Sequence, residues 1–130
     1  MSVIENIFQH REPKQVSSIS LKVFFNIASG WSVSPKQQMI LLGSPPRSTF
    51  YKWRKGAGPA ITQDTLERIS YIMGIYKALR LIYPTAEQAN SWPQKPNKDF
   101  NNDSALSFML KGGVSNLSDV RRYLDKVIGQ

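Results

Sequence analysis

Apolar positions in this chain recur at three- and four-residue intervals and nowhere alternate over a strand's length, so the pattern predicts helices throughout. Val3, Ile4, Ile7 and Phe8 share one helical face before Pro13 closes the pattern, which predicts a short N-terminal helix whose stripe serves core packing or a dimer contact. Ser17 or Ser18 is the expected cap of the next helix, with Ile19, Val23, Phe24 and Ile27 as its buried stripe and Gly30 at its end. Trp31 then anchors a link to Ser34. Ser34 is suited to cap a further helix with Pro35 at its first position, and Gln37 stands where its amide returns a hydrogen bond to the cap. Met39, Ile40, Leu41 and Leu42 supply the buried side of that helix. Gly43 ends it, because a sharp stop needs a residue tolerant of positive φ, and Ser44 and Pro45 are expected to restart the helical path.

The helix after this turn divides into two sides at about 100° per residue. Thr49, Phe50 and Trp53 fall together on one side, and Arg47, Ser48, Tyr51, Lys52, Arg54 and Lys55 fall on the other. A basic solvent face on an amphipathic helix is commonplace by itself. Preceded by a capped helix and a glycine and proline turn, it reads as the second helix of a helix-turn-helix that enters a DNA groove. Arg47, Lys52, Arg54 and Lys55 are assigned mainly to phosphates, and Ser48, Thr49 and Tyr51 to positions closer to base edges.

KGAGPAI interrupts the pattern next. Thr62 caps a predicted long helix over residues 62–83, stopped by Pro84. Leu66, Ile69, Met73, Tyr76 and Leu79 form one stripe and Ile72, Ile75 and Ile82 a second, so this helix must be covered from two sides and acts as a spine. Gly74 in its middle costs about 1 kcal/mol of helix propensity and is read as a packing notch under a crossing helix. A short helix follows Thr85 through Ala89 and Trp92, and PQKPNKDFNND is then a loop in which Phe100 is the expected anchor to the body. Asp103 or Ser104 caps a short helix with Leu106, Met109 and Leu110, ended by Gly112 and Gly113. The last helix starts near Leu117 and carries the stripe Leu117, Val120, Leu124 and Val127, with Arg121, Arg122, Asp125 and Lys126 mostly outside it. The fold class is all-α: an N-terminal helix-turn-helix module over residues 1–60, a shared spine helix over 61–84, and a small C-terminal helical module over 85–130.

Composition sharpens this picture through the placement of charge. The 130 residues carry a net charge of +8, with eight Lys/Arg against two acids in residues 1–60 and nine against seven in residues 61–130. The first part therefore suits a polyanion and the second a different partner. Cysteine is absent, which excludes disulfides, thiolate metal sites and cysteine nucleophiles. With neither a signal peptide nor an apolar run of about 20 residues, the chain is expected to be soluble and cytoplasmic. His10, the single histidine, lies beside Arg11 in a polar segment and is read as a surface residue.

In this order the pieces resemble the two-module antitoxins in which an Xre-like helix-turn-helix precedes a toxin-binding domain of the MbcA/ParS type. The resemblance rests on LLGSPPRSTFYKWRKG at residues 41–56, DTLERISYIMGIYKALRLIYP at 64–84, the spaced Trp92, Pro96, Asn97 and Phe100, SAL..M..G at 104–112, and L..VR.YLD at 117–125. It implies a bacterial antitoxin that neutralises a toxin encoded beside it, often a RES-domain enzyme that depletes NAD. It also implies binding to the operator of its own operon, as a homodimer or within a toxin–antitoxin hetero-oligomer. The DNA-reading segment maps onto Arg47, Ser48, Thr49, Tyr51, Lys52, Arg54 and Lys55, and the toxin-binding candidates are Pro96, Asn97, Phe100, Asn101, Asn102, Ser104, Arg121 and Arg122. Asn101 and Asn102 stand where similar antitoxins tend to carry a glycine, and the tail VIGQ lacks their arginine, glycine and tryptophan.

Three classes of function follow. The leading one is a toxin neutraliser that also represses transcription, with no cofactor and no chemistry of its own. The alternative is a dimeric helix-turn-helix regulator without a toxin. An enzyme is disfavoured: there is one histidine, no phosphate-cradling glycine loop and no acid pair at metal-ligand spacing, and Asp64 and Glu67 are explained by the dipole of the helix they open.

Overall fold

A computed structural model describes residues 12–129 of the chain, so the expected N-terminal helix at Val3 to Phe8 and the setting of His10 lie outside the described residues. Seven α-helices follow one another: α1 (Pro13–Gly30), α2 (Pro35–Leu41), α3 (Arg47–Arg54), α4 (Gln63–Ile82), α5 (Ala86–Ser91), α6 (Ala105–Met109) and α7 (Val114–Gly129). Between α5 and α6 lie two single 3₁₀ turns and a minimal antiparallel ladder of β1 (Pro96–Asn97) with β2 (Asp103–Ser104), in register Pro96 to Ser104 and Asn97 to Asp103. The fold is all-α, and two-residue strands are too short to leave any alternation in the sequence.

The caps explain most boundaries. Ser34 Oγ accepts from the Gln37 amide at 3.2 Å while the Ser34 amide donates to Gln37 Oε1 at 3.0 Å, the expected reciprocal box with Pro35 at the first position. Thr62, Thr85 and Ser104 cap α4, α5 and α6 through their side-chain oxygens. The start of α1 differs from expectation. Pro13 begins this helix, and Glu12 caps it through a reciprocal box with Gln15. Proline's fixed φ is suited to a first helical turn, where its missing N–H goes unneeded. Ser17, expected as a cap, is buried within α1 and accepts a hydrogen bond from the Ile61 amide at 2.9 Å, tying α1 to the entry of α4. The buried stripe of α1 is Leu21, Phe24, Ile27 and Ala28, with Val23 packed at its edge.

Helix α3 also begins later than the Ser44–Pro45 restart. Ser44 takes φ 57 and Pro46, the N-cap, is extended; the residues before Pro45 and Pro46 are barred from the right-handed helical region, so the helix starts only after both rings. Gly43 has φ 93, and its amide and that of Ser44 donate to the Ile40 and Met39 carbonyls, closing α2 as expected. Thr65 Oγ1 donates to the Leu42 carbonyl at 3.2 Å and so clamps this turn to the first turns of α4.

Helix α4 makes its broadest contacts with α7 and its next broadest with α1. Ile69, Ile72, Ile75 and Leu79 are nearly or fully inaccessible, and they join Phe24, Trp31 and Phe50 on one side to Leu117, Val120 and Leu124 on the other in one core. Each such side chain contributes about 1.5–3 kcal/mol of burial. Where α7 crosses, Gly74 leaves a gap that the Arg121 side chain of α7 fills, and a Cβ there would overlap the guanidinium. Helix α7 starts at Val114, ahead of the expected Leu117, and Val127 at its far end is 44% exposed, outside the buried stripe assigned to it. No helix among the described residues is long and apolar enough to cross a membrane.

Candidate nucleic-acid interface and partner surface

Helix α3 stands on the core by Phe50 and Trp53, both buried. Trp53 Nε1 donates to the Pro59 carbonyl at 2.9 Å, so the side chain that seats the helix also fixes the loop after it. Arg47, Ser48, Lys52, Arg54 and Lys55 are exposed, Tyr51 is half-buried beside them, and Thr49 is half-buried on the flank. The structure therefore brings the expected DNA-reading residues onto one helix and its C-cap, Lys55. Neither the three cations of α3 nor Lys55 at its C-cap belongs to an ion pair among the described residues. Arg47 lies over the Tyr51 ring with 5.7 Å to its centroid, and Arg54 lies over Phe50 at 5.9 Å. A groove of about 670 Å³ between α1 and the loop after α3 has Leu21, Phe25 and Trp53 in its wall, with Lys14 and Lys22 beside Arg54. These two lysines extend the basic surface onto α1, a neighbour that only the folded chain supplies.

The C-terminal candidates divide by what they do locally. Pro96 and Ser104 pair in the ladder, Asn97 Oδ1 accepts from the Asp99 amide at 2.9 Å, and Ser104 caps α6. Asn101 and Asn102 are exposed at the tip with φ 58 and 65, a backbone that asparagine tolerates better than most residues. Phe100 anchors the loop as expected. It packs against Trp92, Phe108 and Tyr123 at ring-centroid distances of 6.3, 5.5 and 5.3 Å, and Trp92 stacks on Tyr123 at 6.3 Å. All four rings are half-buried, leaving an aromatic patch at the surface.

Trp92, Phe108 and Tyr123 are not among the toxin-facing candidates of the sequence. Tyr123 belongs to the L..VR.YLD motif and stands three residues from Val120 of the α7 stripe, and these are the signals for its place in the sequence. Its hydroxyl donates to Asp99 Oδ2 at 2.7 Å, and that bond, with burial, raises the phenol above its ordinary range. Arg121 donates through Nε to both carboxylate oxygens of Asp125 at 3.0 and 3.1 Å, and Arg122 pairs with Asp119 at 2.7 Å. Arg121 thus lies across the α4–α7 contact, whereas Arg122 is exposed. Among the described residues no cluster of three His, Asp or Glu side chains is arranged to hold a metal ion.

A capped α2, a left-handed turn and a basic α3 seated on a helical core define a helix-turn-helix protein. The model of the antitoxin Xre-like helix-turn-helix domain matches residues 10–74, which contain α1, α2, α3 and the first half of α4. A relative in Sinorhizobium fredii (strain NBRC 101917 / NGR234), named uncharacterized protein y4oB, is 49% identical over 105 residues, 81% of each chain. The chain belongs to the antitoxin Xre-like helix-turn-helix family.

Proposed function

We propose that this protein is the antitoxin of a type II toxin–antitoxin pair, which neutralises a cognate toxin of the RES-domain, NAD-depleting kind and represses its own operon in the cytoplasm. The observation that carries the reading is the exposed set of cations on α3, free of ion pairs among the described residues, within a fold of the antitoxin Xre-like family. Among the described residues these cations meet no carboxylate, and phosphates are the ligand that three of them on one short helix, with Lys55 at its C-cap, suit.

The DNA-facing residues are Arg47, Ser48, Thr49, Tyr51, Lys52, Arg54 and Lys55. The toxin-facing surface is the aromatic patch with its loop, formed around Phe100 and flanked by Asn101, Asn102 and Arg122, since clustered half-buried aromatics with an exposed arginine suit the centre of a protein interface. Division of labour between residues 1–60 and 85–130, with α4 between them, is part of the same proposal.

Titration of binding to DNA upstream of its own reading frame against salt tests the DNA half. If four phosphates are neutralised per subunit, the log–log slope is roughly −3.6 per bound subunit. Exchange of Arg54 and Lys55 for alanine is expected to reduce its magnitude by about 1.8. A slope near zero for the wild-type chain would remove the electrostatic basis of the proposal.

A further inference from the structure

The cations of α3 differ in what holds them. Arg47 is the first residue of α3. Residues at the N-terminal end of a reading helix are the ones that reach base edges, while backbone contacts come from its flanks and far end. The partial positive charge of a helix N-terminus disfavours a cation there, and the first turn holds no acidic residue to offset it. Arg47 also forms no ion pair among the described residues. No charged group among the described residues accounts for an arginine at this position.

What the fold does supply is a rest for the guanidinium. Arg47 lies 5.7 Å from the Tyr51 centroid, Tyr51 meets Phe50 edge-to-face at 5.2 Å, Phe50 meets Phe25 at 5.9 Å and Phe25 meets Phe24 at 5.5 Å. Phe24 and Phe50 are fully buried, so this file of rings rises from the core and ends under Arg47. An arginine held on a fixed ring loses little further freedom when its planar fork forms two parallel hydrogen bonds. Lys52 and Lys55 have no such ring, and Arg54 sits in the last turn, where the helix dipole favours a cation.

We infer that Arg47 is the base-reading residue of α3, donating to O6 and N7 of a guanine in the major groove, and that Tyr51 is its positioning residue. The inference rests on the DNA-binding reading above and changes two assignments within it. Arg47 moves from the phosphate set to a base edge and Tyr51 from a base edge to its support, leaving Lys52, Arg54 and Lys55 on the backbone and an expected log–log slope of roughly −2.7 per bound subunit. The chemistry that fits is specific, since guanine alone offers two acceptors side by side to a fork of donors.

Selection of bound duplexes from random-sequence DNA by the full-length protein is expected to fix a guanine in each subunit's site. Exchange of that guanine for another base is expected to weaken wild-type binding roughly 5- to 150-fold, and 7-deazaguanine, which lacks N7 alone, to weaken it by less. Arg47→Ala, at an exposed position, is expected to abolish this discrimination while leaving the salt slope unchanged. Tyr51→Phe keeps the ring and the discrimination. Tyr51→Leu, checked for helical content, loses most of the discrimination but retains salt-dependent binding. An Arg47→Ala protein that keeps the guanine preference and loses about 0.9 from the slope would put Arg47 on a phosphate and overturn the inference. Wild-type protein that binds duplexes without any fixed guanine would overturn it too, leaving the DNA-binding reading in place. Failure to bind any duplex would overturn both.

Discussion

Gly74→Ala is expected to change stability by an amount set by a side chain on another helix. In an isolated helix the change gains about 1 kcal/mol, because alanine gives up less backbone freedom than glycine on folding. Here the new Cβ takes space occupied by the Arg121 guanidinium, and Arg121 Cδ would lie 3.2 Å from it. The obstacle is the end of a flexible side chain, so α4 and α7 need not separate. Arg121 swings outward and loses its seat on α4 together with its ion pair to Asp125, whose side chains are 35% and 49% exposed. A pair so exposed contributes about 0.3–0.5 kcal/mol, and the lost packing is of similar size. The two effects offset, and Gly74→Ala alone is expected to lie near zero.

With Arg121 already replaced by alanine the obstacle is gone. Gly74→Ala should then give nearly its full gain, about 1 kcal/mol, or roughly 3–5 °C in Tm for a chain of this size. The assay is a double-mutant cycle by urea unfolding, in which the coupling between positions 74 and 121 is about 0.5–1 kcal/mol. Equal gains in both backgrounds would mean that Arg121 does not fill the gap. Losses above about 2 kcal/mol in both would mean that the two backbones themselves meet at Gly74.

Gly43→Ala is expected to destabilise by about 1–2 kcal/mol, since position 43 has φ 93 and a Cβ there lies 3.0 Å from Arg68 Nε and Asp64 Oδ2; chemical denaturation measures this. Ser34→Ala removes the accepting oxygen of the α2 cap and should cost about 1 kcal/mol, while Ser34→Asp should cost little, by the same measurement. Tyr123 has a raised folded-state pKa, so its stabilising bond to Asp99 is present below the unfolded tyrosine value of about 10 and is lost as pH rises through the folded value. Tm is therefore expected to fall more steeply above about pH 10 in the wild type than in Tyr123→Phe, and parallel curves would contradict this.

Local features were legible wherever one residue decides a boundary. Ser34 and Thr62 were readable as caps, Asp103 or Ser104 as the cap of α6, Gly43 as a stop, and the two stripes of α4 as a helix covered from both sides. Proline defeated the reading at both of its ambiguous sites. Pro13 looked like the end of one helix and is the start of another, and the Pro45–Pro46 pair delays α3 by barring helical backbone ahead of each ring. Contacts between distant segments left no local trace. Gln94 Nε2 donates to the Trp31 and Ser32 carbonyls at 2.6 and 3.1 Å, and the Tyr123–Asp99 bond joins α7 to the loop before α6. The residues proposed to face DNA were readable because they share one helix and its C-cap, whereas the aromatic patch draws on four separate segments and could be completed only in three dimensions.

Co-expression with the product of the neighbouring reading frame tests the central claim most directly, with growth and co-purification read together. The account predicts that the neighbour alone arrests growth, that this chain restores growth, and that the two purify as a complex. It also predicts that Phe100→Asp abolishes rescue, while alanine at Arg54 and Lys55 leaves rescue intact. A neighbour that arrests growth equally with and without this chain, or rescue without any complex between the two, would contradict it.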